Sequence, residues 1–168
     1  MLFFVPAAAA LVLSAARLGA AREPRTPLFI VDSVLLGLLV GMLGVGSLLA
    51  FMGHVWAADA VARSIGWPAG SPFQSEVAGA NLSYAVLGLL CFRFRGGFWW
   101  AAGLGQAVFA FSAAFIHFRQ IGLGDLAPGN AGATLYVADL GVPLLTLALL
   151  VARGLLARRR SQARRPTS

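Results

Sequence analysis

Five long apolar stretches, near residues 2–20, 28–57, 72–94, 97–119 and 132–156, take up nearly all of this 168-residue chain. In hydrocarbon every backbone N–H and C=O must be satisfied within the protein, and for isolated apolar stretches the solution is the helix. A hydrocarbon core about 30 Å thick takes roughly 20 helical residues to cross. The pattern predicts an all-α, polytopic transmembrane helical bundle of five spans. One helical domain covers residues 1–156, and a basic tail follows at 157–168. Only 11% of the residues are charged, too few to cover a water-soluble globule of this size.

The arginines orient the bundle. With the N-terminus outside and all five spans retained, the cytoplasmic segments hold every arginine except Arg63 and Arg119, as the positive-inside rule requires. The first stretch has the small residues of a signal-peptide cleavage site at its end, but no basic region precedes its apolar run. Its removal would invert the remaining spans and send the basic tail outward, so the sequence predicts its retention. Trp56 and Trp67 fall at the outer boundary of this frame, and Trp99 and Trp100 at the inner one, where indoles anchor helices.

The basic tail carries Arg158, Arg159, Arg160, Arg164 and Arg165 directly after the last span. In that position arginines fix orientation and meet anionic lipid headgroups, so the high isoelectric point does not point to nucleic acid. The single cysteine, Cys91, forms neither an internal disulfide nor a cysteine-rich metal site. Gly37, Gly41 and Gly44 recur at helical spacing in the second span and permit close approach of another helix. That helix belongs either to the same bundle or to a second copy in a homo-oligomer. Asp32, near the inner end of this span, is expected to pair with an arginine of the cytoplasmic side, such as Arg22 or Arg25.

Polar residues gather at the opposite end. Ser71, Pro72 and Gln74 have the layout of a helix start with a capping box, which puts Glu76 in the first turns of the third span. Each later helix shows one polar-and-small stripe. These are Ser47, Ala50 and His54; Asn81, Ala85 and Gly88; Gln106, Ala110, Ala113 and His117; and Tyr136, Asp139, Pro143 and Thr146. Unpaired polar groups are costly in hydrocarbon and small residues allow close packing, so the stripes are expected to face one another.

Asp139 stands out, because it lies about 10 Å inside its span at the helical rise, where an ionised carboxylate is costly unless paired, hydrated or protonated. Pro143 lacks the N–H that would bond the Asp139 carbonyl four residues earlier. The alternative is a proline kink in which Asp139 bonds to Asn81, Tyr136 or a histidine. His54, Glu76, Asn81, His117, Tyr136 and Asp139 form the candidate ligand-binding set, with Asp59, Gln74 and Tyr136 near its rim. His54, His117 and Asp139 are the metal candidates. The two histidines admit haem ligation, a transition-metal site or proton relay, beside a purely interhelical role. No nucleophile motif, dinucleotide fingerprint or phosphate loop is present, so the sequence leans against an enzyme.

Several strings are distinctive together: Phe51-Met52-Gly53-His54; Ile65-Gly66-Trp67-Pro68-Ala69-Gly70-Ser71-Pro72-Phe73-Gln74; Glu76 with Ala80-Asn81-Leu82; Arg95-Gly96-Gly97-Phe98-Trp99; and Ala127-Pro128-Gly129-Asn130-Ala131-Gly132. On these the chain resembles an uncharacterised family of small prokaryotic polytopic membrane proteins, over roughly residues 28–145. The resemblance implies residence in a prokaryotic cytoplasmic membrane and no mechanism. Three function classes follow from the residues: a bundle whose outward-facing polar pocket binds a small ligand or metal ion, an oligomeric proton-coupled carrier or channel, and a non-catalytic accessory subunit.

Overall fold

The computed structural model describes residues 4–22 and 24–163; the start of the first expected span at residue 2, and Arg164 and Arg165 of the tail, lie outside them. All regular structure among the described residues is helical: α1 (Phe4–Gly19), α2 (Pro27–Trp56), α3 (Ala58–Ser64), α4 (Phe73–Leu90), α5 (Gly97–Gly122), α6 (Pro128–Ala131) and α7 (Thr134–Ala163). Three of these, α2, α5 and α7, are long and apolar enough to cross a membrane. The other two expected spans fall outside that set. α1 has 16 residues, about 24 Å of helix, which is short of the hydrocarbon thickness. α4 has 18 residues but carries Gln74, Ser75, Glu76, Asn81 and Ser83.

Local chemistry sets the helix starts. Thr26 caps α2, its Oγ1 accepting from the Phe29 N–H at 3.3 Å, with Pro27 in the first turn. The capping box expected for α4 does not form. Its cap is Pro72, without a side-chain bond, and the buried Gln74 amide instead donates to the Ala58 carbonyl of α3. Burial between two helices obliges that amide to find a partner inside the protein.

Both long helices flanking the centre contain eight residues of π-helix, Leu38–Val45 in α2 and Thr134–Gly141 in α7. In α7 the cause is legible. Pro143 has no N–H to donate, and the preceding turn widens so that the Val142 N–H reaches back to Val137. Asp139 lies on this widened turn.

Close packing is made by glycine. A side chain on Gly37 or Gly41 would run into Ala10 and Ser14, so α1 of the same chain occupies the G-x-x-x-G face. Any side chain on Gly88 would strike the backbone of Gly44 and Leu39, which fixes the crossing of α2 and α4. At the end of the bundle that holds Arg17, Arg95 and Arg153, Leu35, Leu36, Leu39, Leu43, Cys91, Trp99, Ala102 and Leu150 form one buried cluster.

Two expectations change at this arginine end. Trp99 is not an interfacial anchor: it is fully buried, and its indole N–H donates to the Cys91 carbonyl at 2.9 Å. A buried indole needs such a partner. Trp100 beside it is half-buried. Asp32 does pair with an arginine of this end, but the partner is Arg153 of α7 at 2.8 Å and not Arg22 or Arg25. Those two lie exposed in the α1–α2 connection, while Arg153 projects from a helix packed directly against α2.

Candidate functional site

At the other end, the histidine end, the helices separate. The last turns of α2 pack on α4, and α5 packs on α7, but the two pairs scarcely touch. Between them lies a cavity of about 570 Å³ with mostly apolar walls. Met42, Tyr84, Gln106 and Phe109 lie deepest, toward the arginine end, and Ser64, Ile65, Trp67 and Gly129 border the cavity at its far end. α3 and α6 meet across that far end: a side chain on Gly129 would strike Ser64 and Ile65, and one on Gly66 would strike the Asp125 carboxylate. Gly66 has a φ of 74°, a conformation that glycine adopts without strain.

The structure brings His54, Asn81, His117 and Asp139 to the wall of this one cavity. It does not bring Glu76, Tyr136 or Asp59, which are exposed and line no part of it. Gln74 is buried against α3 instead of standing at a rim. Asn81 is tied to its own helix, its Nδ2 donating to the Val77 carbonyl at 2.9 Å.

His117 is held by a chain of contacts. Asp125 accepts from the Ala127 N–H at 3.0 Å through one oxygen and from Asn130 Nδ2 at 2.8 Å through the other. That orientation turns the Asn130 Oδ1 toward His117 Nδ1, 2.7 Å away. An amide oxygen only accepts, so His117 Nδ1 carries a hydrogen. Its Nε2 faces Asp139 Oδ2 at 3.5 Å, within ion-pair range but too long for a hydrogen bond.

Two buried polar atoms at the cavity have no hydrogen-bond partner: Asp139 Oδ2 and His54 Nδ1. No group of three or more His, Cys, Asp or Glu side chains among the described residues is placed to hold a metal ion. The expected triad of His54, His117 and Asp139 is thus reduced to the His117–Asp139 pair. Sequence reasoning missed Asp125 and gave Asn130 no chemistry. The signal was present in Asp125-Leu126-Ala127, where an aspartate bonding the N–H two residues on is a common turn device.

Fold and site together define an all-helical bundle with three membrane-length helices and a carboxylate–imidazole pair at an apolar cavity. The chain belongs to the family described as "Family of unknown function (DUF6790)", which matches residues 1–160. No curated protein and no solved structure matches it.

Proposed function

We propose that this is an integral protein of a prokaryotic cytoplasmic membrane, with five helices in the bilayer and its arginine end on the cytoplasmic side. Its cavity, in the outer half of the bundle beneath α3 and α6, holds a small organic ligand with an apolar body and a hydrogen-bonding end. The observation that carries this reading is the convergence of His54, Asn81, His117 and Asp139 on one mostly apolar cavity, with His54 Nδ1 and Asp139 Oδ2 left without a hydrogen-bond partner. A buried polar atom without a partner costs about 1–3 kcal/mol, and a turn of either side chain toward a ligand in the cavity would relieve that cost. A pocket of this volume with few convergent polar groups is the usual form of a small-molecule site.

The groups on offer select the ligand's polar end. Asp139 offers a carboxyl group beside the His117 imidazole, and His54 brings a second imidazole to the cavity wall. A hydroxyl, amide or carbonyl function fits both. A metal ion fits less well, because among the described residues no third His, Cys, Asp or Glu side chain stands with His117 and Asp139 to hold one. The carrier reading needs a polar route to the arginine end, and the leucine and tryptophan cluster there favours binding over passage.

Solvent extraction of detergent-purified protein, followed by mass spectrometry, tests this. Wild-type protein should release one small molecule per chain, and His54→Ala and Asp139→Asn, purified in the same way, should have lost it. A molecule present equally in all three proteins, or in none, would remove the cavity from consideration as its site.

A further inference from the structure

Around Trp99, four charged side chains from four parts of the chain converge: Arg17 of α1, Asp32 of α2, Arg95 of the connection before α5, and Arg153 of α7. The guanidiniums of Arg95 and Arg153 each lie over the Trp99 ring, 5.2 Å from its centre. Arg17 lies over Phe29 at 5.5 Å. Asp32 neutralises Arg153 alone. Among the described residues, no carboxylate stands within ion-pair distance of Arg17 or Arg95. Among the described residues, three positive charges therefore share one negative charge.

The surplus is felt within the cluster. Burial, and then the charges of Arg17 and Arg153, hold the Arg95 guanidinium below the usual arginine range against the opposing pull of Asp32. Stacking settles how an incoming anion would be met. A guanidinium held over an aromatic ring can still offer N–H groups to an anion, Arg153 having given its Nε–H to Asp32, and the planar fork matches phosphate oxygens two at a time.

We propose that Arg17, Arg95 and Arg153 form a binding site for a phosphate group, one that belongs either to an anionic phospholipid headgroup or to a soluble phosphate. The site is separate from the tail. Arg158, Arg159 and Arg160 are exposed; Arg17 and Arg153 are half-buried and fixed by ring and carboxylate contacts, and Arg95, though exposed, is held over Trp99. Only the lipid source rests on the membrane reading; the arginine geometry does not.

The test is native mass spectrometry of the full chain in detergent, titrated separately with phosphatidylglycerol, phosphatidylcholine and inorganic phosphate. Phosphatidylglycerol should be retained in preference to phosphatidylcholine. The Arg17→Gln/Arg95→Gln variant should weaken retention by roughly 25-fold, about fivefold for each basic residue lost, and substituting all three tail arginines by Gln should change it less than twofold. Arg153 is left in place because its removal would strand Asp32. Inorganic phosphate bound with the same dependence on Arg17 and Arg95, without selective lipid retention, would support the site and identify a soluble source. The proposal is overturned if the double variant binds as the wild type does, if the loss follows the tail arginines, or if the wild type retains neither phosphatidylglycerol nor phosphate.

Discussion

Leu35, Leu39, Trp99 and Leu150 close α2, α5 and α7 upon one another at the arginine end. Further along α2, Ala50 and His54 share a cavity of about 570 Å³ with His117 and Asp139. The same helices make both ends, so the difference lies in side-chain volume and in where glycine permits contact. Large residues fill the first end, and Gly44 against Gly88 locks α2 to α4 at its margin. Beyond that crossing the residues shrink to Gly53, Ala50, Ala110, Ala113 and Ala138 without the helices drawing together. Small residues packed against a neighbour make a joint, and small residues facing a gap make a binding volume.

The largest expected effect is at the closed end. Trp99→Ala removes a fully buried side chain and leaves the Cys91 carbonyl without its donor, at a cost of about 3–5 kcal/mol. A thermal unfolding scan in detergent should show a sharp fall in midpoint. By contrast, Ala113→Leu extends a side chain into the cavity and should leave the midpoint nearly unchanged while excluding the ligand. If Ala113→Leu proved as damaging as Trp99→Ala, the two ends would be equally packed and the comparison would fail.

Gly88→Ala comes next. Its added methyl meets Gly44 backbone, which has no rotamer by which to retreat, and overpacking of this kind costs about 1–3 kcal/mol. Chemical denaturation in mixed micelles would read the loss. Gly79 on the same helix, with open space about it, is the control, and Gly79→Ala should hold or slightly raise stability.

This contrast also explains what the sequence could and could not disclose. Periodicity placed Ala50, His54, Asn81, Ala110, Ala113 and His117 on single faces of their helices, and those residues line the cavity. Depth alone adds Glu76, and the stripe with Asp139, Pro143 and Thr146 adds Tyr136. Glu76 is only two residues from the inward-facing Gln74, which in an α-helix puts it about 160° around the axis. Tyr136 is three residues before Asp139, a spacing that shares a face in an α-helix but not in the wider π turn created ahead of Pro143. Asp125 and Asn130 were hidden for another reason: their role depends on α6 folding back onto His117, a contact no local pattern encodes.

Asn130→Ala is expected to cost about 1–2 kcal/mol, since His117 Nδ1 and an Asp125 oxygen both lose their partner. The ring would then be free to exchange its tautomers, which nitrogen-detected magnetic resonance of labelled histidine would register as loss of a fixed Nδ1–H. Should the Nδ1–H persist unchanged, Asn130 does not set the tautomer and the chain from Asp125 to Asp139 is only a set of neighbours.

Asp139→Asn should have the smallest effect on stability and so separates the ends most finely. In the native chain the Asp139 Oδ2 is buried and unpartnered, 3.5 Å from His117 Nε2. An asparagine amide can donate to that nitrogen while His117 keeps its bond to Asn130, converting an orphaned acceptor into a neutral hydrogen-bonded pair. The expected change is within about 1 kcal/mol and in the stabilising direction, while ligand retention is lost. Breaking a buried ion pair instead costs about 3–5 kcal/mol. A large fall in the unfolding midpoint would therefore mean that Asp139 and protonated His117 act as a structural pair like Asp32 and Arg153, and the histidine end would differ from the arginine end in volume alone.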